Sequence, residues 1–159
     1  MRAETLHWII LLSLLAGLAL SIFAWQETVN PALQSVCSVN PVFSCQAVDR
    51  SGHNTVLGYS DYLVGIVGFS LMLAFDIPLM LTWRRWLLNA LLLLSIGGVA
   101  FSIYFAYVET FIIGAVCPVC LSTYIANGIV LACAIVLWRR GRPGPKKTLK
   151  RTGESSAAA

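Results

Sequence analysis

Charge is what this sequence has least of. Of 159 residues only 11% are Asp, Glu, Lys or Arg, against 58% that are hydrophobic. A soluble domain carries about 25% charged residues, so the composition excludes an ordinary soluble fold and points to a chain dissolved in lipid. No internal repeat is present, which removes solenoid and array architectures. The net charge of +4 gathers beside the apolar runs and does not form a patch. Its meaning is topological, and nucleic acid is not an expected partner.

What is present in quantity is apolar chain. Four stretches are long enough to cross a hydrocarbon layer about 30 Å thick, which takes about 20 helical residues: Trp8 to Trp25, Tyr62 to Thr82, Leu87 to Val108 and Val116 to Trp138. The expected fold is an all-α membrane protein, a bundle of four transmembrane helices. Trp8, Trp25, Trp83, Trp86 and Trp138 all fall at the expected helix ends, where an aromatic belt belongs. The first stretch resembles a secretory signal in having Arg2 ahead of it, but its length and its two bracketing tryptophans favour a retained span.

Basic residues set the orientation. Arg2, Arg84, Arg85, Arg139, Arg140, Arg142, Lys146, Lys147, Lys150 and Arg151 lie on one side of the expected spans, and Arg50 alone lies on the other. The positive-inside bias then puts both termini in the cytoplasm and faces the segment from Gln26 to Asp61, and the short link near Glu109, outward. The outward segment is longer than packed helices need. Within it "NPALQSVC" reads as a capped short helix lying on the membrane surface, with turns at Asn40-Pro41 and "DRSGHNT". The residues from 141 onward, rich in Gly, Pro and charge, read as a disordered basic cytoplasmic tail. Small residues recur four apart at Ser13, Gly17 and Ser21, and again at Gly98, Ser102 and Ala106, as close helix packing in lipid requires. Asp76 reads as an interfacial residue and Pro78 as a kink near the cytoplasmic end of the second span.

There are five cysteines. By this topology Cys37 and Cys45 lie in the outward loop, and Cys117 and Cys120 at the outward end of the fourth span. All four face the compartment where disulfides persist. Cys133, deep in the last helix, reads as a small core residue. On a helix Cys117, Cys120, Tyr124 and Asn127 share one face. At about 1.5 Å rise per residue they lead inward from the membrane surface. Polar groups in lipid must face protein or a ligand. A membrane-soluble quinone can reach the deeper sulfur, whereas water-soluble protein thiols reach only the loop pair. The chain therefore reads as a thiol oxidoreductase that passes electrons from Cys37/Cys45 to Cys117/Cys120 and on to a quinone. Tyr124 and Asn127 are placed to hydrogen-bond the quinone or, alternatively, only the neighbouring helices.

The combination of "CSVNPVFSC" with "CPVCLSTYIAN" opening the last of four spans resembles the vitamin K epoxide reductase family, and the resemblance extends through about Trp138. It implies that Cys117 and Cys120 are the active-site pair, with Cys120 nearest the quinone and Cys117 exchanging with Cys45. It implies further that Cys37 meets the protein partner and Tyr124 donates a hydrogen bond to the quinone. Ser51 matches a Ser or Thr that the family carries six residues after the second loop cysteine. Asp61 stands where animal members have an Asn beside the quinone. By the same resemblance, prokaryotic members oxidise a thioredoxin-like protein that makes disulfides in exported proteins, and animal members reduce vitamin K epoxide. The short tail points to a separate thioredoxin-like, DsbA-like partner outside the membrane. The divergence of the loop after Cys45 favours a bacterial or archaeal cell (inner) membrane. The acceptor is a quinone of the ubiquinone, menaquinone or vitamin K type, and no metal is expected. Two other readings compete: a non-enzymatic four-span protein braced by a permanent loop disulfide, and a four-thiolate metal site.

Overall fold

The computed structural model describes residues 3–30, 44–51, 55–56 and 59–141. The short helix expected at "NPALQSVC", Cys37 and the tail beyond residue 141 lie outside the described residues. Four helices are long and apolar enough to cross a membrane: a first span Ala3–Val29, a second Asp61–Thr82, a third beginning Arg85–Tyr107 and a fourth Pro118–Arg140. Between the first two stand a short loop helix, Cys45–Arg50, and an antiparallel ribbon pairing Thr55–Val56 with Tyr59–Ser60.

The bundle closes around a single apolar core. The first span packs against the second and fourth, and the third packs against the second and fourth. Leu6, Ile10 and Leu14 of the first span meet Leu79 of the second, Leu91 of the third, and Val130 and Leu137 of the fourth. Cys133 lies in this core. The small residues allow close approach. A methyl group on Gly17 would collide with the Phe69 ring, and one on Gly98 with the Asn127 amide. In lipid this close fit supplies the attraction between helices that water supplies in a soluble bundle.

At the end of the bundle away from the cysteines one expectation changes. Trp8, Trp25, Trp86 and Trp138 present exposed faces at helix ends, as a belt requires. Trp83 instead turns inward and sets its ring edge-on to His7, centroids 5.4 Å apart. Its backbone ends the second span in the left-handed region at φ 44°, donating to Leu79 O at 3.0 Å. Asp76 is not interfacial: it is fully buried, and its Oδ1 lies 3.5 Å from His7 Nδ1. A carboxyl group one helical turn from its interface either reaches up to water or finds a partner inside. Here His7 of the first span supplies the partner.

At the opposite end the third span does not stop at Tyr107. Val108–Ile113 continue it in wider π turns. Gly114, at φ 72°, ends the run, and the amides of Gly114 and Ala115 both donate to Glu109 O. The expected outward link near Glu109 is thus helical, and Glu109 is buried at 2% exposure. A π turn shifts the phase of the helix face and is often found at functional sites. Here it carries a carboxylate toward the start of the fourth span.

Candidate active site

Two helix beginnings meet at the end of the bundle that carries the cysteines. Pro118 takes the first position of the fourth span, where its missing amide costs nothing. Cys117 is the residue before it, and its Sγ accepts from the Cys120 amide at 3.2 Å, capping the helix with sulfur. On the loop side Ser44 caps the short helix, its Oγ accepting from the Ala47 amide at 3.2 Å. The Ser44 amide donates to Val116 O at 3.2 Å. This single backbone bridge sets Cys45 beside Cys117, the residues following each of its two ends.

The result is a short approach of sulfur to sulfur. Cys45 is disulfide-bonded, Cys117 and Cys120 are free thiols, and Cys45 Sγ lies 3.0 Å from Cys117 Sγ. A thiol in contact with a disulfide sulfur is the geometry from which exchange proceeds. Cys117 is buried, and Cys120 half so, in a small cluster with Val48, Ala115 and Val119.

Glu109 organises the other side of this pair. Its Oε2 accepts from the Cys117 amide at 3.0 Å, and its Oε1 accepts from the Tyr124 hydroxyl at 2.7 Å. The Cys120 thiol is an electrostatic neighbour of both Glu109 and Asp61. The sequence reading passed over Glu109 as a link residue. The signal that would have found it is an acidic residue closing an apolar helix eight positions before the C-x-x-C.

Two cavities open here. The smaller, about 90 Å³, is lined by Cys45, Cys117 and Cys120, together with Glu27 and Thr28 from the end of the first span. The larger, about 340 Å³, runs between the second, third and fourth spans, with apolar walls that include Phe69, Met72, Phe101 and Phe105. Gly68 and Gly97 line it and face open space where a side chain would stand, so their lack of one makes the room. Asp61, Gly65 and Thr123 border both cavities.

Each expected site residue now has a position. Tyr124 and Asn127 line the larger cavity, and Cys120 lines the smaller one. Asn127 is buried, and its Oδ1 has no hydrogen-bond partner. Asp61 opens the second span at the junction of the two cavities. Ser51 ends the loop helix, its Oγ donating to Val48 O at 2.7 Å, and lines neither cavity. Cys37 lies outside the described residues. Among the described residues, no group of three or more His, Cys, Asp or Glu side chains is arranged to hold a metal ion.

The larger cavity can take a planar apolar group. It falls in the size range of small-molecule sites, about 300 to 1,000 Å³, and its walls are apolar. The unpartnered Asn127 Oδ1 offers a hydrogen-bond acceptor among its lining residues.

Comparison with known proteins gives one consistent result. The model of the vitamin K epoxide reductase family matches residues 8–135. Vitamin K epoxide reductase complex subunit 1 of Rattus norvegicus is 30% identical over 135 residues, covering 74% of this chain and 81% of that protein. The Mus musculus protein of the same name is 31% identical over the same length and with the same coverage.

Proposed function

The chain belongs to the vitamin K epoxide reductase family, a multi-pass membrane oxidoreductase by that membership and its four spans, and from this premise we propose that it is a quinone-dependent thiol-disulfide oxidoreductase. In this reading it draws electrons from a reduced thioredoxin-like protein outside the membrane and supports disulfide formation in exported proteins. The observation that carries the reading is the 3.0 Å approach of the Cys45 and Cys117 sulfurs.

The steps balance as two thiol-disulfide exchanges and one oxidation. The partner's dithiol reduces the Cys37–Cys45 disulfide and is itself oxidised. The Cys45 thiolate then attacks Cys117 in a Cys117–Cys120 disulfide, forming a Cys45–Cys117 bond and releasing Cys120. Cys37 resolves that bond, which restores the loop disulfide and frees Cys117. The helix pair, now a dithiol, closes to a disulfide as two electrons and two protons pass to the quinone, which leaves as quinol. The combination of a disulfide-bonded Cys45 with free Cys117 and Cys120 corresponds to the stage just before quinone reduction.

The protein's part is to hold the participants apart until they should meet. The Ser44–Val116 bridge fixes Cys45 on Cys117, so electrons enter through one sulfur. Tyr124, Asn127 and Asp61 border the cavity that suits the ring. Its apolar walls exclude water, which strengthens every polar contact made inside. The distribution of basic residues supports cytoplasmic termini and an outward site, and the divergence of the loop after Cys45 favours a prokaryotic inner membrane.

The test is reconstitution of the purified chain with a quinone and a reduced thioredoxin-like protein, following quinone absorbance. Turnover that depends on Cys120 is expected; turnover that persists in Cys120→Ala refutes the relay. The names of the rat and mouse relatives favour a second reading, reduction of vitamin K epoxide. Supplying the epoxide in place of the quinone with the same dithiol distinguishes the two.

A further inference from the structure

We propose that Glu109 is the proton carrier between the helix thiols and the quinone: it accepts the Cys120 thiol proton and supplies a proton through the Tyr124 hydroxyl to a quinone oxygen in the larger cavity. The inference rests on the reading above, in which Cys117 and Cys120 reduce a quinone.

Electrons and protons meet different obstacles here. Cys120 lines the smaller cavity and not the larger; Tyr124 lines the larger and not the smaller. Electrons pass with the sulfur chemistry, but a proton needs a chain of donors and acceptors across that partition. Glu109 bonds to both sides: Oε1 to the Tyr124 hydroxyl at 2.7 Å, and Oε2 to the amide of Cys117, with the Cys120 thiol within hydrogen-bonding reach. The other ionisable groups that face this cluster are Asp61 from the second span and Cys117 from the fourth, with Glu27 of the first span on the smaller cavity. None of these three bonds to Tyr124 among the described contacts.

A structural acceptor alone would not require this arrangement. Burying a carboxylate at 2% exposure is costly unless it is fully hydrogen-bonded, and a neutral side chain would cap the Cys117 amide more cheaply. What a carboxylate adds is the capacity to hold a proton. The step runs as follows: the Cys120 S–H proton moves to Glu109; a proton moves from Glu109 to the Tyr124 oxygen as the Tyr124 proton moves to the quinone oxygen. The S–S bond forms between Cys117 and Cys120, and the electron pair released reduces the quinone. The Cys117 proton leaves to outward water, and the second oxygen is protonated from water, so two thiols and a quinone give one disulfide and one quinol.

The experiment compares the full-length wild type with Glu109→Gln and Glu109→Asp. General acid-base groups contribute about 10²- to 10⁴-fold, so Glu109→Gln should lower quinone reduction by about 100-fold or more. Affinity for a non-reducible quinone analogue, and trapping of the Cys45–Cys117 bond in a Cys120→Ala background, should both stay within about twofold of wild type, since a carrier's loss leaves binding and exchange intact. Redox-difference infrared spectra, recorded without quinone, should show a carboxylic C=O band that shifts in heavy water and is absent in Glu109→Gln. Glu109→Asp should restore the band and at least about tenfold of the rate, because the carboxyl group is retained. A Gln variant turning over near the wild-type rate overturns the proposal. So does a band that survives in it, or a parallel fall in Cys45–Cys117 trapping, which would make Glu109 a scaffold. A wild type that reduces no quinone overturns the underlying function itself, whatever residue stands at 109.

Discussion

Each end of the bundle buries an acid, and the two are buried to different ends. At the end away from the thiols Asp76 meets His7 at 3.5 Å, with the Trp83 ring edge-on to His7, and neither residue lines either of the two cavities described above. One oxygen of Asp76 and one nitrogen of His7 have no further partner. At the thiol end both oxygens of Glu109 accept hydrogen bonds, and their donors belong to the residues that flank the thiols and the larger cavity. The first is a clip joining the first span to the second through a contact 69 residues long in sequence. The second is a junction between reacting groups. A buried charge is therefore no sign of chemistry by itself; its neighbours decide.

Removing a sulfur at the thiol end should have the largest effect. Cys117→Ala or Cys120→Ala should abolish quinone reduction, measured by quinone absorbance, while leaving the thermal unfolding midpoint in detergent near wild type. Asp76→Ala should do the opposite. It strands His7 in apolar surroundings and should cost about 3 kcal/mol, read as a lower unfolding midpoint, while activity per folded molecule is kept. A loss of activity without a loss of stability would break the distinction between the ends.

Cys45→Ala sharpens it within the thiol end. Reduction by a protein dithiol should fall to background, and reduction by a small dithiol that reaches the helix pair directly should continue. Gly98→Ala tests the cavity wall, because the new methyl group would press on the Asn127 amide. Overpacking of this kind costs about 1 to 3 kcal/mol, and it should weaken quinone binding more than dithiol exchange. Cys133→Ala, in the shared apolar core, should change least: activity unaltered, and stability lower by about 1 kcal/mol.

The spans were legible because lipid enforces one rule along the whole chain: every backbone group must be bonded within its own helix, so apolar length alone marks a crossing. Three of the expected stretches fall inside the observed helices, and the fourth begins two residues before its helix, at Val116 against Pro118. The spacing of Cys120, Tyr124 and Asn127 along the fourth span is local in the same way, since helix periodicity fixes it. Asp76 was misread as interfacial because position near a span's end does not say which way a side chain turns. Glu109 was missed because nothing in "YVETFIIG" announces that the third span continues past Tyr107 in π turns.

The sequence by itself determined that this chain crosses a membrane four times and that its C-x-x-C opens the last crossing beside polar residues at helical spacing. Composition and periodicity act over a few turns, and they need no partner. Only the tertiary structure decided which groups touch: Cys45 with Cys117 across 72 residues, Tyr124 with Glu109 across 15, His7 with Asp76 across 69. Those contacts depend on how four helices settle against one another, on where small residues let backbones approach, and on one widened turn. Such packing is a property of the assembled bundle, and no local pattern encodes it.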